Sequence, residues 1–258
     1  MRLLDLLEAF TEDGAHSLTD LSARTGIPKP TAFRLLRTLE DRGYVRRGGG
    51  QYALGFRCFI LGATATRDLD VRTQALPHLV ALRDATGETV QVAVLESWRV
   101  VYLERVLSER PVAYMKSRAG AVLPAHCTGL GKALLAFRPP EEVAAHYRVA
   151  GLPRFTPSTI TDVDALLAEL DAIRRRGYAT DEEEREIGVR CVAAPVRDHR
   201  GEVVAAISVA GPGERLPRPL VDSHTAEQVV TCAAAISNHL GYSHRVQKPG
   251  VRKPGRKR

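Results

Sequence analysis

Four cysteines, two methionines and one tryptophan in 258 residues exclude several kinds of chemistry. Cys58, Cys127, Cys191 and Cys232 are widely spaced, with no C-x-x-C pair and no ligand-pair spacing toward a histidine. Neither a structural zinc site nor a disulfide framework is written in such a pattern. Without a secretory signal, these read as reduced thiols of a cytoplasmic protein. No apolar run approaches the ~18 residues that a membrane span needs. Acidic residues are scarce in two places only. From Arg24 to Arg57 there are eight Lys or Arg against Glu40 and Asp41, and after Tyr242 there are seven against none. Residues 61–244, with 21 basic and 23 acidic side chains, are near neutral, so the net charge of +7 belongs to the ends. A basic N-terminal segment beside a large neutral remainder points to a polyanion reader joined to a domain with another task.

The N-terminal segment shows how the reader is built. Leu18 to Thr25 is expected to form a short helix, capped by Ser17 or Thr19, with Leu18, Leu21 and Ala23 on its apolar face. Gly26 closes it, Ile27 packs inward, and Pro28-Lys29-Pro30 forbids continuation. A second helix then runs from Pro30 to Arg42, with Ala32, Leu35, Leu36 and Leu39 as its apolar stripe. Its other side carries Lys29, Thr31, Arg34, Arg37 and Thr38. Tyr44 to Arg47 and Gln51 to Leu54 read as two strands around the flexible tip Gly48-Gly49-Gly50. Two helices about a glycine turn, followed by a hairpin, make a winged helix-turn-helix. A small helical bundle with solvated arginines does not account for that order of elements. Lys29, Thr31, Arg34, Arg37 and Thr38 are the expected DNA contacts, with Arg46 and Arg47 on the wing. Before this reader, Leu3, Leu4, Leu6 and Leu7 give a short packing helix, short enough to suggest a further turn upstream.

After the wing, Gly55 to Arg67 is expected to be helical, with Phe56, Phe59, Ile60 and Ala63 on one side. That side is either a dimer contact or packed on its own reader domain. The remaining ~180 residues suffice for one more domain. A helix at Val71–Thr86 leads to a hairpin of Thr89–Leu95 and Val100–Val106, with a third strand at Val112–Ser117. A second hairpin joins Gly188–Arg197 to Val203–Ala210. Helices are expected at Gly129–Phe137, Glu141–Tyr147, Asp162–Arg176 and Leu220–Leu240. Hairpins with long helices between them give an α+β domain, an antiparallel sheet flanked by helices. The expected division is 1–54 reader, 55–69 linker helix, 70–242 sensor domain and 243–258 disordered basic tail, the tail either adding non-specific DNA affinity or merely solubilising.

Two segments of the second domain could carry chemistry. Thr128 is a candidate cap for a helix whose first turn holds Gly129 and Gly131, leaving bare N–H groups suited to a carboxylate or phosphate. Lys132 either adds positive charge there or is a solvated helix lysine. The second segment is the acidic loop Gly177 to Gly188, which runs into a strand. His126, Cys127, Asp181 and Cys191 could be imagined as a nucleophile set, or the first two with Cys191 as metal ligands. Adjacent His126 and Cys127 lack the spacing for either, and buried thiols serve as small hydrophobes. Neither cofactor nor metal is called for.

PKPTAFRLLRTLEDRGYV, PAHCTGLGKALLA and EEEREIGVRCVAAPVRDHRGEVVAAISVAGP together resemble the IclR family of bacterial transcription regulators, from about Arg2 to Leu240. The third segment is the most specific, through the spacing of Glu184, Cys191 and Asp198. The resemblance implies a GAF-like effector-binding domain, and dimers that often pair into tetramers on a pseudo-palindromic operator. It also implies control by a small metabolite, frequently a carboxylic acid. By position, the effector pocket would be lined by Gly129, Leu130, Asp181, Val189, Cys191, Ser208 and Ala210. Ala210 departs from a serine found in some members, Leu130 is bulkier than its usual counterpart, and Arg197 replaces an aromatic residue or histidine. A ligand-independent architectural DNA-binding protein would leave the near-neutral domain without a role.

Overall fold

The computed structural model describes residues 2–10, 14–65, 70–110, 118–216, 219–221 and 223–242. The chain divides into two compact units, Met1–Asp70 and Val71–Arg258. The strand expected at Val112–Ser117, the end of the linker helix and the basic tail lie outside the described residues.

The first unit holds α1 (Arg2–Glu8), β1 (His16–Ser17), α2 (Leu18–Thr25), α3 (Lys29–Asp41), β2 (Val45–Gly48), β3 (Gln51–Leu54) and α4 (Phe56–Ala65). Ser17, not Thr19, caps α2. Its hydroxyl accepts the Asp20 N–H at 3.2 Å while the Asp20 carboxylate accepts the Ser17 N–H at 3.1 Å, a reciprocal capping box. Gly26 turns the chain at φ +66°, and Pro30 sits in the first turn of α3, where its missing N–H leaves no bond unmade. Leu6, Phe10, Leu21, Ile27, Ala32, Leu36, Leu39, Val45 and Tyr52 fill the core. Leu4 and Ala23, expected inside, are exposed, because each lies well off the buried stripe of its helix. The wing turns at Gly49-Gly50, both at positive φ, and Gly48 belongs to the strand. The two-residue strand β1 adds a third strand on β3, pairing His16 with Tyr52, which periodicity did not reveal.

The second unit runs α5 (Asp70–Thr86), β4 (Thr89–Glu96), β5 (Arg99–Val106), β6 (Val122–Pro124), α6 (Gly129–Leu135), α7 (Pro140–Ala150), α8 (Val163–Arg176), β7 (Ala179–Glu182), β8 (Val189–Arg197), β9 (Val203–Pro212) and α9 (His224–His239). Among its described residues six strands form one antiparallel sheet in the order β6-β5-β4-β9-β8-β7. Because side chains alternate across a sheet, β8 and β9 serve two cores. Ala193, Ala206 and Ala210 pack with α6, α7 and α8, whereas Val192, Ala194, Ile207 and Val209 pack with α5 and α9. This burial on both faces explains the near-continuous apolar runs in both strands. Two strands were not expected. β6 is only three residues long, and β7 lies inside the acidic segment, where charge hides the alternation. Ser223 caps α9, which therefore starts later than Leu220. No helix among the described residues is long and apolar enough to cross a membrane.

Candidate nucleic-acid interface and ligand pocket

The amphipathic α3 presents one face to solvent. With Ala32, Leu36 and Leu39 buried, helical geometry leaves Lys29, Arg34, Arg37 and Thr38 exposed and Thr31 half-buried. The Thr38 hydroxyl donates to the Arg34 carbonyl at 3.1 Å, so it serves the helix backbone first. On the wing, Arg46 and Arg47 are both exposed, and Arg47 packs against its neighbour. Its guanidinium lies 5.4 Å from the centre of the Tyr52 ring, the residue opposite it on β3. Phe33, also on the outer face and 40% exposed, was not singled out among the contacts.

In the second unit, strand register builds a cavity of about 330 Å³. Asp181 on β7 faces Cys191 on β8, which faces Ala210 on β9, and all three line it together with Val189. Gly129 and Leu130 close one side from the start of α6. Thus six of the seven expected residues meet at one cavity. Ser208 does not reach the wall. It is fully buried, its hydroxyl donates to Gln91 Oε1 at 3.3 Å, and it also hydrogen-bonds the Cys191 side chain, so it touches two residues of the lining. Gln91 and Tyr102, one on each strand of the first hairpin, complete the polar lining with Thr128, Arg185 and Glu186. Of these five, the sequence pointed only to Thr128, as the cap of the helix start. Arg185 in particular is a cation in an acidic run, with no local signal that points to a pocket.

The glycines of α6 have a steric reason beyond leaving a turn bare. A Cβ on Gly129 would lie 2.8 Å from Cys191 Sγ, and one on Gly131 would lie 2.1 Å from the Ala125 carbonyl oxygen. Only glycine lets the helix start this close to β8 and to the preceding loop. Thr128 Oγ1 accepts the Gly131 N–H at 3.1 Å and donates to Pro124 O, and Gly129 and Leu130 have N–H groups with no intrahelical partner.

Lys132 corrects both expectations made of it. It is 2% exposed and bonds Glu184, with Glu169 at 4.0 Å, so its charge is answered inside the protein and is not offered to the pocket. Glu184 is held in turn by the connection between α7 and α8. Thr159 Oγ1 donates to its carbonyl at 2.6 Å, and Thr156 Oγ1 donates to the Glu183 carbonyl at 2.6 Å. Glu183 sits at φ +70°, a left-handed conformation that this clamp stabilises. Asp181 Oδ1 accepts the Glu184 N–H at 2.8 Å. Burial, then the charge of Glu184, push the Asp181 carboxyl from 3.8 up to about 7, against the opposing pull of Lys132. The Arg185 guanidinium lies 4.3 Å over the Phe155 ring and lines the pocket.

The alternative chemistries find little support in the geometry. The His126 ring bonds the Pro153 carbonyl at 3.0 Å, and burial lowers its basicity. Burial pushes the Cys127 and Cys191 thiols up to about 12, far from the thiolate that a nucleophile requires.

Family models match nearly the whole chain: the IclR helix-turn-helix domain over residues 1–49, and the bacterial transcriptional regulator IclR C-terminal domain over residues 63–238. The chain belongs to the IclR family. Among its IclR-family relatives, the HTH-type transcriptional regulator KdgR of Escherichia coli K12 is 34% identical over 244 residues, covering 94% of this chain and 92% of KdgR. The HTH-type transcriptional repressor AllR of the same organism is 36% identical over 230 residues, covering 88% and 84%. An IclR homologue from Microbacterium hydrocarbonoxydans, crystallised with 4-hydroxybenzoate, superposes with a TM-score of 0.82 at 32% identity, covering 93% of this chain and 97% of that one. The Thermotoga maritima IclR superposes with a TM-score of 0.75 at 31% identity over the same shares. This IclR-family chain is therefore a transcriptional regulator with a DNA-binding helix-turn-helix and a ligand-binding C-terminal domain.

Proposed function

We propose that the regulator responds to a small carboxylic acid bound in the 330 Å³ cavity, and that occupancy changes its affinity for an operator. The observation that carries this reading is the polar content of an otherwise apolar wall. Among the described residues Arg185 supplies the cation of the lining, and Lys132 is committed to Glu184. Asp181, with its carboxyl near neutrality, supplies a proton donor that an anionic ligand tolerates. The Microbacterium homologue, similar over 93% of this chain, holds a hydroxy-substituted aromatic acid, which supports the same ligand class here.

On the DNA side, two copies place α3 in successive major grooves of a pseudo-palindromic site, with Lys29, Thr31, Arg34, Arg37 and Thr38 against the groove and Arg46 and Arg47 on the backbone. The second copy is held through α4, whose Phe56, Phe59, Ile60 and Leu61 are all exposed and whose two phenyl rings stack at 5.2 Å. The ligand domain and the linking helix after the wing transmit occupancy to the readers. This requires unequal ligand affinity for two states of the protein. The test is calorimetric titration with a panel of small carboxylic acids, including 4-hydroxybenzoate, paired with binding to the regulator's own upstream DNA. One acid should bind saturably, shift DNA affinity, and lose its grip on Arg185→Ala. A panel in which no acid binds overturns the ligand class.

A further inference from the structure

Among the exposed apolar side chains of the described residues, Phe33 is the one set within the DNA-reading face. It is 40% exposed and stands outside the core of the first unit, which Ala32, Leu36 and Leu39 from the same helix already fill. Residues four apart stack along one ridge of a helix, so Lys29, Phe33 and Arg37 form a continuous row, with Arg34 beside it. All three cations are exposed. An apolar protein partner seated on Phe33 would have to bury them, which is costly unless each finds a counter-charge. Duplex DNA meets both demands at once. Its phosphates answer the cations, and its major groove carries one apolar projection, the C5-methyl group of thymine. Phe33 also lies in the N-terminal half of α3, the part of a recognition helix that reaches base edges.

We propose that Phe33 is a specificity-determining residue that packs against a thymine methyl group in each half-site of the operator. The proposal rests on the reading of α3 as the recognition helix. It assigns a base preference to an apolar contact, whereas the neighbouring arginines act through charge and hydrogen bonds.

The test removes the methyl group and nothing else. A duplex operator is first selected from randomised DNA by the full-length wild-type protein. Each thymine is then replaced, one at a time, by deoxyuridine, which keeps the hydrogen-bonding edge and lacks only the methyl. At one position per half-site, the replacement should weaken wild-type binding about four-fold, the effect of leaving one methyl unburied. Phe33→Ala should bind the thymine operator more weakly by at least that factor and be indifferent to deoxyuridine at that position, while retaining sensitivity elsewhere. Phe33→Met, which keeps an apolar contact, should retain part of the preference. Both variants should show the wild-type urea midpoint, since Phe33 is outside the core. If no thymine is sensitive, or if Phe33→Ala keeps the same sensitivity, the inference is overturned while the regulator stands. If selection enriches no sequence, the recognition-helix reading falls, and this inference with it.

Discussion

In the first unit Lys29, Arg34, Arg37 and Arg46 stand in solvent, over a core that is almost wholly apolar. In the second unit Lys132 is among the most deeply buried side chains, bonded to Glu184 beneath a pocket whose Asp181 is itself buried. The same kinds of side chain thus do opposite work. Exposed cations keep their charge available to phosphate and lose little by being unpaired, because water solvates them. A buried cation is stable only with its counter-charge in place, so it holds the Glu183–Glu184 segment and, through the Glu184 N–H, the Asp181 carboxylate. Charge in the reader is a binding device. Charge in the ligand domain is a scaffold for the pocket wall.

The sharpest way to break this contrast is Lys132→Met, which leaves buried Glu184 without its partner. The loss should be about 3–5 kcal/mol of stability, the cost of an uncompensated buried charge, read as a lowered urea midpoint. An unchanged midpoint would mean that Lys132 is a solvated lysine after all. Arg37→Ala should do the reverse. Its urea midpoint should match the wild type, while operator binding weakens by about 1–3 kcal/mol if the guanidinium meets a base edge in two places. Equal binding by gel shift would remove Arg37 from the interface.

A smaller effect separates the two regions by pH. Asp181 is raised from 3.8 to about 7 in the folded protein, so the native state binds its proton more tightly than the unfolded chain does. Its stabilising contribution is therefore complete below about pH 4 and is lost as pH rises through about 7. Glu184, also raised by burial, acts in the same direction. Asp181→Asn, which can still accept the Glu184 N–H, should flatten the decline in unfolding free energy between pH 5 and pH 8. A variant with the wild-type slope would show that Asp181 titrates normally. The smallest effect lies on the wing. Arg47→Ala should cost about 0.5–1 kcal/mol of stability through the lost contact with Tyr52, whereas Arg46→Ala should cost none and lower DNA affinity only. Equal stability losses from the two would place both residues in the fold.

The reader was legible because its signals are local. Ser17, Gly26, Pro28 and Pro30 act on the residues beside them, and the stripe Ala32, Leu36, Leu39 reports burial directly through helical period. The ligand pocket was legible mainly through family resemblance. Gly129, Leu130, Asp181, Val189, Cys191 and Ala210 come from four elements spread over more than eighty residues, and no periodicity joins them. Ser208 shares a sheet face with Ala210 and supports the lining from behind, through hydrogen bonds to Gln91 and Cys191. Arg185 lies outside the expected pocket set: its place in the lining, over the Phe155 ring, comes from contacts remote along the chain.

The sequence by itself determined where the helix-turn-helix begins and ends, which face of α3 is free, and which residues pair as hairpins. Those follow from caps, breakers and periodicity, which act over a few residues. Tertiary structure alone decided that Lys132 is buried and paired, that Gln91, Tyr102 and Arg185 join the pocket, and that Gly129 and Gly131 are required by contact with Cys191 and Ala125. Those depend on distances between segments remote along the chain, and the folded sheet sets them through strand order and register.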